Sequence, residues 1–284
     1  MGLNAFLPIF VTELKNQSKY DMNTRSILRI ALVSALVLLS CTAVSGQKKN
    51  KKIDVAEALS GYFTPATDEP ATPDTKGFIR RWLLLEPISK PNRSNTVFTD
   101  SYIRDAFAAE PYEGMFTTLP KNGQKVKVMV EKQAPVNLTA GRPMMPQAPA
   151  APVFEKATLT WYALDSKLFN VKLFRFATGL DKERYGAIFE AYTVVECEED
   201  IENVRMAVGS NSASMWWLNG EEAVILSGDR RMVADDCMSK RLTLKKGRNI
   251  IRGSVINGPG MSDFCLRFID EAGKPVRNIK IVCQ

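Results

Sequence analysis

Four residues in one stretch of the chain have the types and spacing to grip a ligand without transforming it: Trp217, Asp229, Arg230 and Arg231. An indole that reaches solvent can stack on the apolar face of a sugar ring, the kind of flat aromatic contact that dominates small binding sites. Asp229-Arg230-Arg231 follows a Ser-Gly turn, and guanidinium forks hold hydroxyls or uronic carboxylates through paired hydrogen bonds. Surface ion pairing is the other use of the same three residues. No residue is assigned a catalytic role. The chain has no histidine among its 284 residues, which removes the imidazole that Ser-His-Asp and Cys-His hydrolases use to take and return a proton near neutral pH. It also removes a common zinc ligand, and Gly-x-Ser-x-Gly does not occur. A glycosidase-type carboxylate pair stays formally open, but Glu221-Glu222 and Glu198-Glu199-Asp200 are adjacent acids, not a separated pair. Asp235-Asp236 reads as a solvated turn, with a cation site as the alternative. No metal and no cofactor are expected.

The element that must position Trp217 is a β-hairpin. Two apolar runs, Met215 to Leu218 and Ala223 to Leu226, flank Asn219-Gly220; this dipeptide is a strong hairpin signal because both central residues of a type I′ turn need positive φ. Alternation then puts Trp216 and Leu218 on one face and Met215 and Trp217 on the other. Trp217 either faces solvent or packs under a loop.

Around the hairpin, short strands recur at intervals of about ten residues with turn chemistry between them. Strands are expected over 78–85, 126–130, 157–164, 185–197, 204–208, 242–244, 250–256 and 264–269, with one short helix within 94–107 on a sheet edge. The run 133–153 is proline-rich and cannot supply ladder donors at its prolines, so it reads as a surface excursion between two strands. The fold class is all-β: an antiparallel β-sandwich of jelly-roll type with one or two short helices. With 45% apolar residues the chain can fill such a core. Domain limits are expected at 1–46 for a signal peptide with an upstream extension, 47–76 for an extended leader or linker, and 77–284 for the sandwich.

Met22 to Arg29 is a basic segment followed by the short apolar run Ile30 to Leu39, the proportions of an export signal and about half the length that spans a membrane. Leu38-Leu39-Ser40-Cys41 resembles a lipobox, in which Cys41 would be lipidated and anchor the chain to a membrane. Val44-Ser45-Gly46 before Gln47 offers an ordinary cleavage site instead. Either route places the mature protein in the periplasm, at the outer membrane or outside the cell. There Cys197, Cys237, Cys265 and Cys283 could form up to two disulfides; the alternative is small buried thiols. The formal charge is +7, but Lys48, Lys49, Lys51 and Lys52 read as a solvated tail and no recognition motif accompanies them, so no nucleic-acid partner is expected.

From Tyr185 onward the order of elements resembles galactose-binding-like jelly rolls and PA14-type modules. The resemblance is carried by Gly209 to Ser214, Met215-Trp216-Trp217-Leu218-Asn219-Gly220, the turn Leu244-Lys245-Lys246-Gly247-Arg248-Asn249, Phe264 to Phe268 and a closing turn at Gly273. It implies that Trp216 is the core residue and Trp217 the one nearer solvent. Calcium-dependent PA14 lectins have an Asp-Asp pair where this chain has Asn211-Ser212, and a hard divalent ion prefers carboxylates, so calcium is not carried over. Gly77 to Pro91, Trp161 to Lys167 and Ser210 to Gly220 resemble secreted Bacteroidetes-type proteins labelled acetylxylan esterase. That label implies an esterase acting on acetylated polysaccharide, yet without histidine its serine or zinc chemistry maps to no position here. The expected function is a secreted noncatalytic carbohydrate-binding or cell-surface module with a polysaccharide or glycan partner. The alternatives are an esterase or glycosidase of polysaccharide degradation and a structural envelope component.

Overall fold

A computed structural model describes residues 54–91, 98–132, 152–228, 230–258 and 260–283. The export signal, Cys41, the start of the leader, nearly all of the proline-rich run and Asp229 lie outside the described residues.

The chain forms an antiparallel β-sandwich. Its strands are β1 (Phe63–Pro65), β2 (Arg81–Leu85), β3 (Ile88–Ser89), β4 (Lys125–Glu131), β5 (Phe154–Ser166), β6 (Ala187–Cys197), β7 (Ile201–Ser210), β8 (Ala213–Leu218), β9 (Glu221–Leu226), β10 (Cys237–Met238), β11 (Leu242–Leu244), β12 (Gly247–Asn257), β13 (Phe264–Ile269) and β14 (Lys280–Val282). The larger sheet runs β1-β5-β2-β6-β12-β8-β9, with β3 and β14 also on β6 and β4 on β5. The smaller one has β10 and β11 along one edge of β7 and β13 along its other edge, where Val208 pairs with both Cys237 and Leu266. Three short helices occur among the described residues, one more than expected: α1 (Val55–Leu59), α2 (Asp100–Phe107) and α3 (Leu173–Gly179). None of them is long and apolar enough to cross a membrane.

The larger sheet carries apolar side chains on both faces, which explains the unbroken runs Trp82-Leu83-Leu84-Leu85 and Met215-Trp216-Trp217-Leu218. Facing the smaller sheet, Trp82, Trp216 and Phe264 meet at ring-centroid distances of 4.8 to 5.8 Å, in tilted and edge-to-face arrangements that suit aromatic quadrupoles. On the opposite face Leu83, Trp161, Tyr192, Met215 and Trp217 form a second core with Ile103 and Phe107 of α2 and the inward valines of β4. Strand β4 has one wet face, as its alternation requires: Val126, Val128 and Val130 are buried while Lys125, Lys127 and Met129 are exposed. Helix α2 starts at Thr99, whose hydroxyl accepts from the Tyr102 amide at 3.2 Å. Its Ile103 and Phe107, four residues apart, share the buried face.

Residues 54–76, expected as leader or linker, are instead part of the sandwich. Asp54 caps α1, Phe63 pairs with Ser166 and sits in the core against Phe176, Ala71 bridges to Ile281, and Arg81 donates to the Glu69 carbonyl. Burial of Leu59 and Phe63 outweighs the weak local signal of a Thr/Pro-rich stretch. The four cysteines from Cys197 onward are free thiols, so the disulfide alternative is not realised among the described residues. Burial pushes the Cys265 and Cys283 thiols up to about 12.

The hairpin has a two-residue loop, with Leu218 opposite Glu221 and φ of 52° and 86° at Asn219 and Gly220. Asn219 does more than turn the chain. Its side-chain oxygen accepts from the Ile250 amide at 2.8 Å and its amide nitrogen donates to Asn249 at 3.2 Å. Asn249 is fully buried and also spans the Lys245 amide and carbonyl, at 2.9 and 2.7 Å, so the Leu-Lys-x-Gly-x-Asn turn and the hairpin tip lock each other. Strand β9 ends the larger sheet, and the register slips at Ala223, which has no opposite number between Trp216 and Trp217.

Candidate functional site

Strand register builds the site. Arg252 on β12 lies opposite Tyr192 of β6 on one side and Trp217 of β8 on the other, so an aromatic, a cation and an aromatic form one cross-strand row. The row lies on the face away from the smaller sheet. Above it comes Phe116, on a segment held by side chains. The Glu110 carboxylate accepts from the Gly114 and Phe116 amides at 3.1 and 3.2 Å, and the Tyr192 hydroxyl donates to the Met115 carbonyl at 2.8 Å. The Arg252 guanidinium carbon is 3.6 Å from the Trp217 ring centroid and 3.9 Å from that of Phe116, so the cation is held between two rings.

Beside this stack is a cavity of about 550 Å³, within the roughly 300–1,000 Å³ range of small-molecule sites. Phe107, Met215 and Ile250 give it apolar walls, and Arg104 and the Asn219-Gly220 turn also line it. Arg104 grips Glu222 of β9 with two nitrogens, at 2.8 and 3.1 Å, tying α2 to the hairpin. That guanidinium holds the Glu222 carboxyl below its ordinary pKa. Among the described residues that line the cavity none is Asp or Glu. Among the described residues Arg252 forms no ion pair with a carboxylate within 4.0 Å.

Glu190 lies one diagonal step away on β6, opposite Ser254, whose hydroxyl donates to its Oε2 at 2.6 Å. Burial raises its pKa from 4.5 to about 7, against the opposing pull of Arg252 and Ser254. A raised carboxyl pKa means that the folded chain holds a proton which the unfolded chain has lost. The associated stability is complete below the ordinary value of 4.5 and is lost as pH climbs through about 7. Glu190→Gln should therefore gain on the unmodified protein across that window, by up to about 1.4 kcal/mol per pH unit, and the difference should level off above it. Denaturant unfolding of both proteins between about pH 5 and pH 8 checks this; a difference independent of pH would contradict it.

The residues expected from the sequence fall in two places. Trp217 lines the cavity, but its residue exposure is 9%, against 0% for Trp216, and Arg252 covers a ring face. Trp217 thus packs as much as it presents, and what it packs beneath is Arg252 and Phe116. Arg230 and Arg231 are not among the cavity's lining residues. The register explains this: Leu226 pairs with Ser214, so Arg230 comes after the open end of the hairpin, where its amide bonds to the Asn211 carbonyl, while Trp217 is next to the closed end. The Arg230 guanidinium is held by Asp236 at 2.6 and 2.8 Å. Asp235 is held by Arg267, and among the described residues no group of three acidic, cysteine or histidine side chains could hold a metal.

Arg252, Phe116, Arg104 and Tyr192 were not anticipated. One signal was available for Arg252: a charged residue inside the buried run Ile250 to Ile256 demands a partner or a purpose. Phe116 carries no such signal, because its segment has no period.

No protein-family model matches the chain, and no curated protein does. Among solved structures it is similar to the PA14 sugar-binding domain of an RTX adhesin, with 10% identity over 71% of this chain and 96% of that one at a TM-score of 0.36. It is also similar to the PA14 domain of an antifreeze protein, with 10% identity over 73% and 89% of the two chains at a TM-score of 0.34. A third similarity is to a β-glucosidase from Kluyveromyces marxianus, with 21% identity over 39% of this chain and 14% of that enzyme at a TM-score of 0.27.

Proposed function

We propose that this protein is an exported, noncatalytic carbohydrate-binding module whose site is the cavity beside Trp217. The observation that carries the reading is the cavity itself, with aromatic and apolar walls and polar groups at a few fixed points. That composition suits a pyranose ring, which has an apolar face and a polar edge. The absence of acids among its described lining residues argues against a glycosidase-type carboxylate pair there, and the absence of histidine from the chain argues against the esterase chemistries considered above. Export rests on the signal-like sequence from Met22 to Leu39, with Cys41 as the candidate membrane anchor.

Phe116 is the residue to test, since it is 42% exposed and can be truncated with little loss of packing. Screening the protein on a glycan array and by affinity electrophoresis in soluble polysaccharides should reveal a ligand. Phe116→Ala should then weaken that ligand about tenfold, equivalent to about 1.4 kcal/mol, while moving Tm by no more than about 4 °C. Binding that is unchanged in Phe116→Ala would place the site elsewhere. Absence of binding to every glycan would favour a structural role in the envelope.

A further inference from the structure

We infer that the saccharide is acidic: the cavity takes a sugar bearing a carboxylate, of the hexuronate class, in preference to its neutral counterpart. This step rests on the carbohydrate reading above and adds the chemistry of the ligand. Arg252 is 9% exposed, lies between the Phe116 and Trp217 rings and lines the cavity. Stacking occupies the faces of a guanidinium and leaves its donors, all of which lie in its plane, as the only way to engage a ligand. A fork fixed in this way by its neighbours is oriented before any ligand arrives, so little side-chain freedom remains to be lost on binding.

The charge balance points the same way. Glu190, the acid one diagonal step from Arg252, gives Oε2 to the Ser254 hydroxyl and makes no ion pair with Arg252 within 4.0 Å. The second cation at the cavity, Arg104, is already gripped by Glu222. A buried cation with no ion-pair partner among the described residues gains from an anion that loses its own water in the same place, and a planar carboxylate matches the fork in two places at once. A neutral hexose could accept hydrogen bonds from Arg252 but would bring no charge to it. The apolar walls favour a carboxylate carried on a pyranose ring over a small, fully hydrated anion.

Calorimetric titration of the full chain with oligogalacturonate and with the same oligomer as its methyl ester tests this, as does the matched pair of glucuronate-substituted and unsubstituted xylo-oligosaccharide. In at least one pair the acid should bind about tenfold tighter or more, as expected for a hydrogen-bonded charge, and the gap should shrink as salt is raised. Arg252→Gln, checked for folding by thermal denaturation, should bring the acid down to the level of its neutral partner. Equal affinity of acid and neutral forms for the unmodified protein would overturn the inference and leave the carbohydrate reading standing. An acid preference that survives in folded Arg252→Gln would overturn the assignment to this arginine. Failure of every saccharide, acidic or neutral, would sink both readings. The acid-to-ester comparison uses the unmodified protein, so it stands even if the variant does not fold.

Discussion

Trp217→Ala should destabilise the protein by about 3 to 5 kcal/mol, the usual cost of truncating a large buried aromatic. The indole is nine-tenths buried, meets Phe107 edge-on at 6.4 Å and forms one side of the slot that holds Arg252. Removing it withdraws the aromatic face from a desolvated guanidinium and joins the vacated space to a cavity that water can enter. Water entry softens the first loss and does nothing for packing against Phe107. Trp217→Phe should recover more than half of the deficit, because a ring face is restored to the cation. Equilibrium unfolding in urea measures both variants. A Trp217→Ala protein as stable as the parent would mean that the indole is not packed as described. Loss of ligand binding in this variant would say little on its own, which is why Phe116 is the better probe of the site.

The second large effect is expected at Gly253, which lies opposite Trp216. A β-carbon there would fall 2.2 to 2.6 Å from three atoms of the Trp216 ring, far inside contact distance. The ring has nowhere to go, with Phe264 and Trp82 at 4.8 and 5.8 Å between centroids and no exposure. Overpacking of this kind costs about 1 to 3 kcal/mol and occasionally more, and the rigidity of the neighbours puts Gly253→Ala at about 3 kcal/mol or above. Trimming the opposing ring should relieve it: Gly253→Ala combined with Trp216→Leu should lose less than the two single changes added together. Simple additivity in that cycle would show that the clash is not the cause.

These two positions mark how far the sequence could be read. The Asn219-Gly220 turn and the assignment of Trp216 and Trp217 to opposite faces follow from rules that act over a few residues, turn conformation and a period of two, and both appear in the structure. The strands from Val126 to Phe268 were legible for the same reason, except the two-residue β10, which is too short to show an alternation. Two kinds of feature were not. Residues 54–76 join the fold through a three-residue strand whose partners in β5 are about a hundred residues away, and α3 is only seven residues long, too short to display a helical period. The surroundings of Trp217 were hidden differently. Arg252 reaches it by cross-strand register and Phe116 by an irregular segment, and neither relation leaves a trace in local spacing. Arg230 and Arg231 looked close to Trp217 because they are near it in sequence, but the hairpin carries the chain back along its own length and delivers them to the other end.

The slipped register at Ala223 bears on how this protein behaves in a crowd. Strand β9 closes one end of the larger sheet, and a terminal strand with free backbone donors and acceptors is a template on which another chain can add itself. Here the strand is only six residues long, begins with the two acids Glu221 and Glu222, and carries a bulge beside them that breaks the even spacing a docking strand would need. Glu222 is further anchored to Arg104 on the neighbouring helix. The residues that directly follow the cavity-lining Asn219-Gly220 turn therefore guard the sheet against edge-to-edge aggregation, and neutralising both acids would remove the charge from a short apolar strand at the end of the sheet.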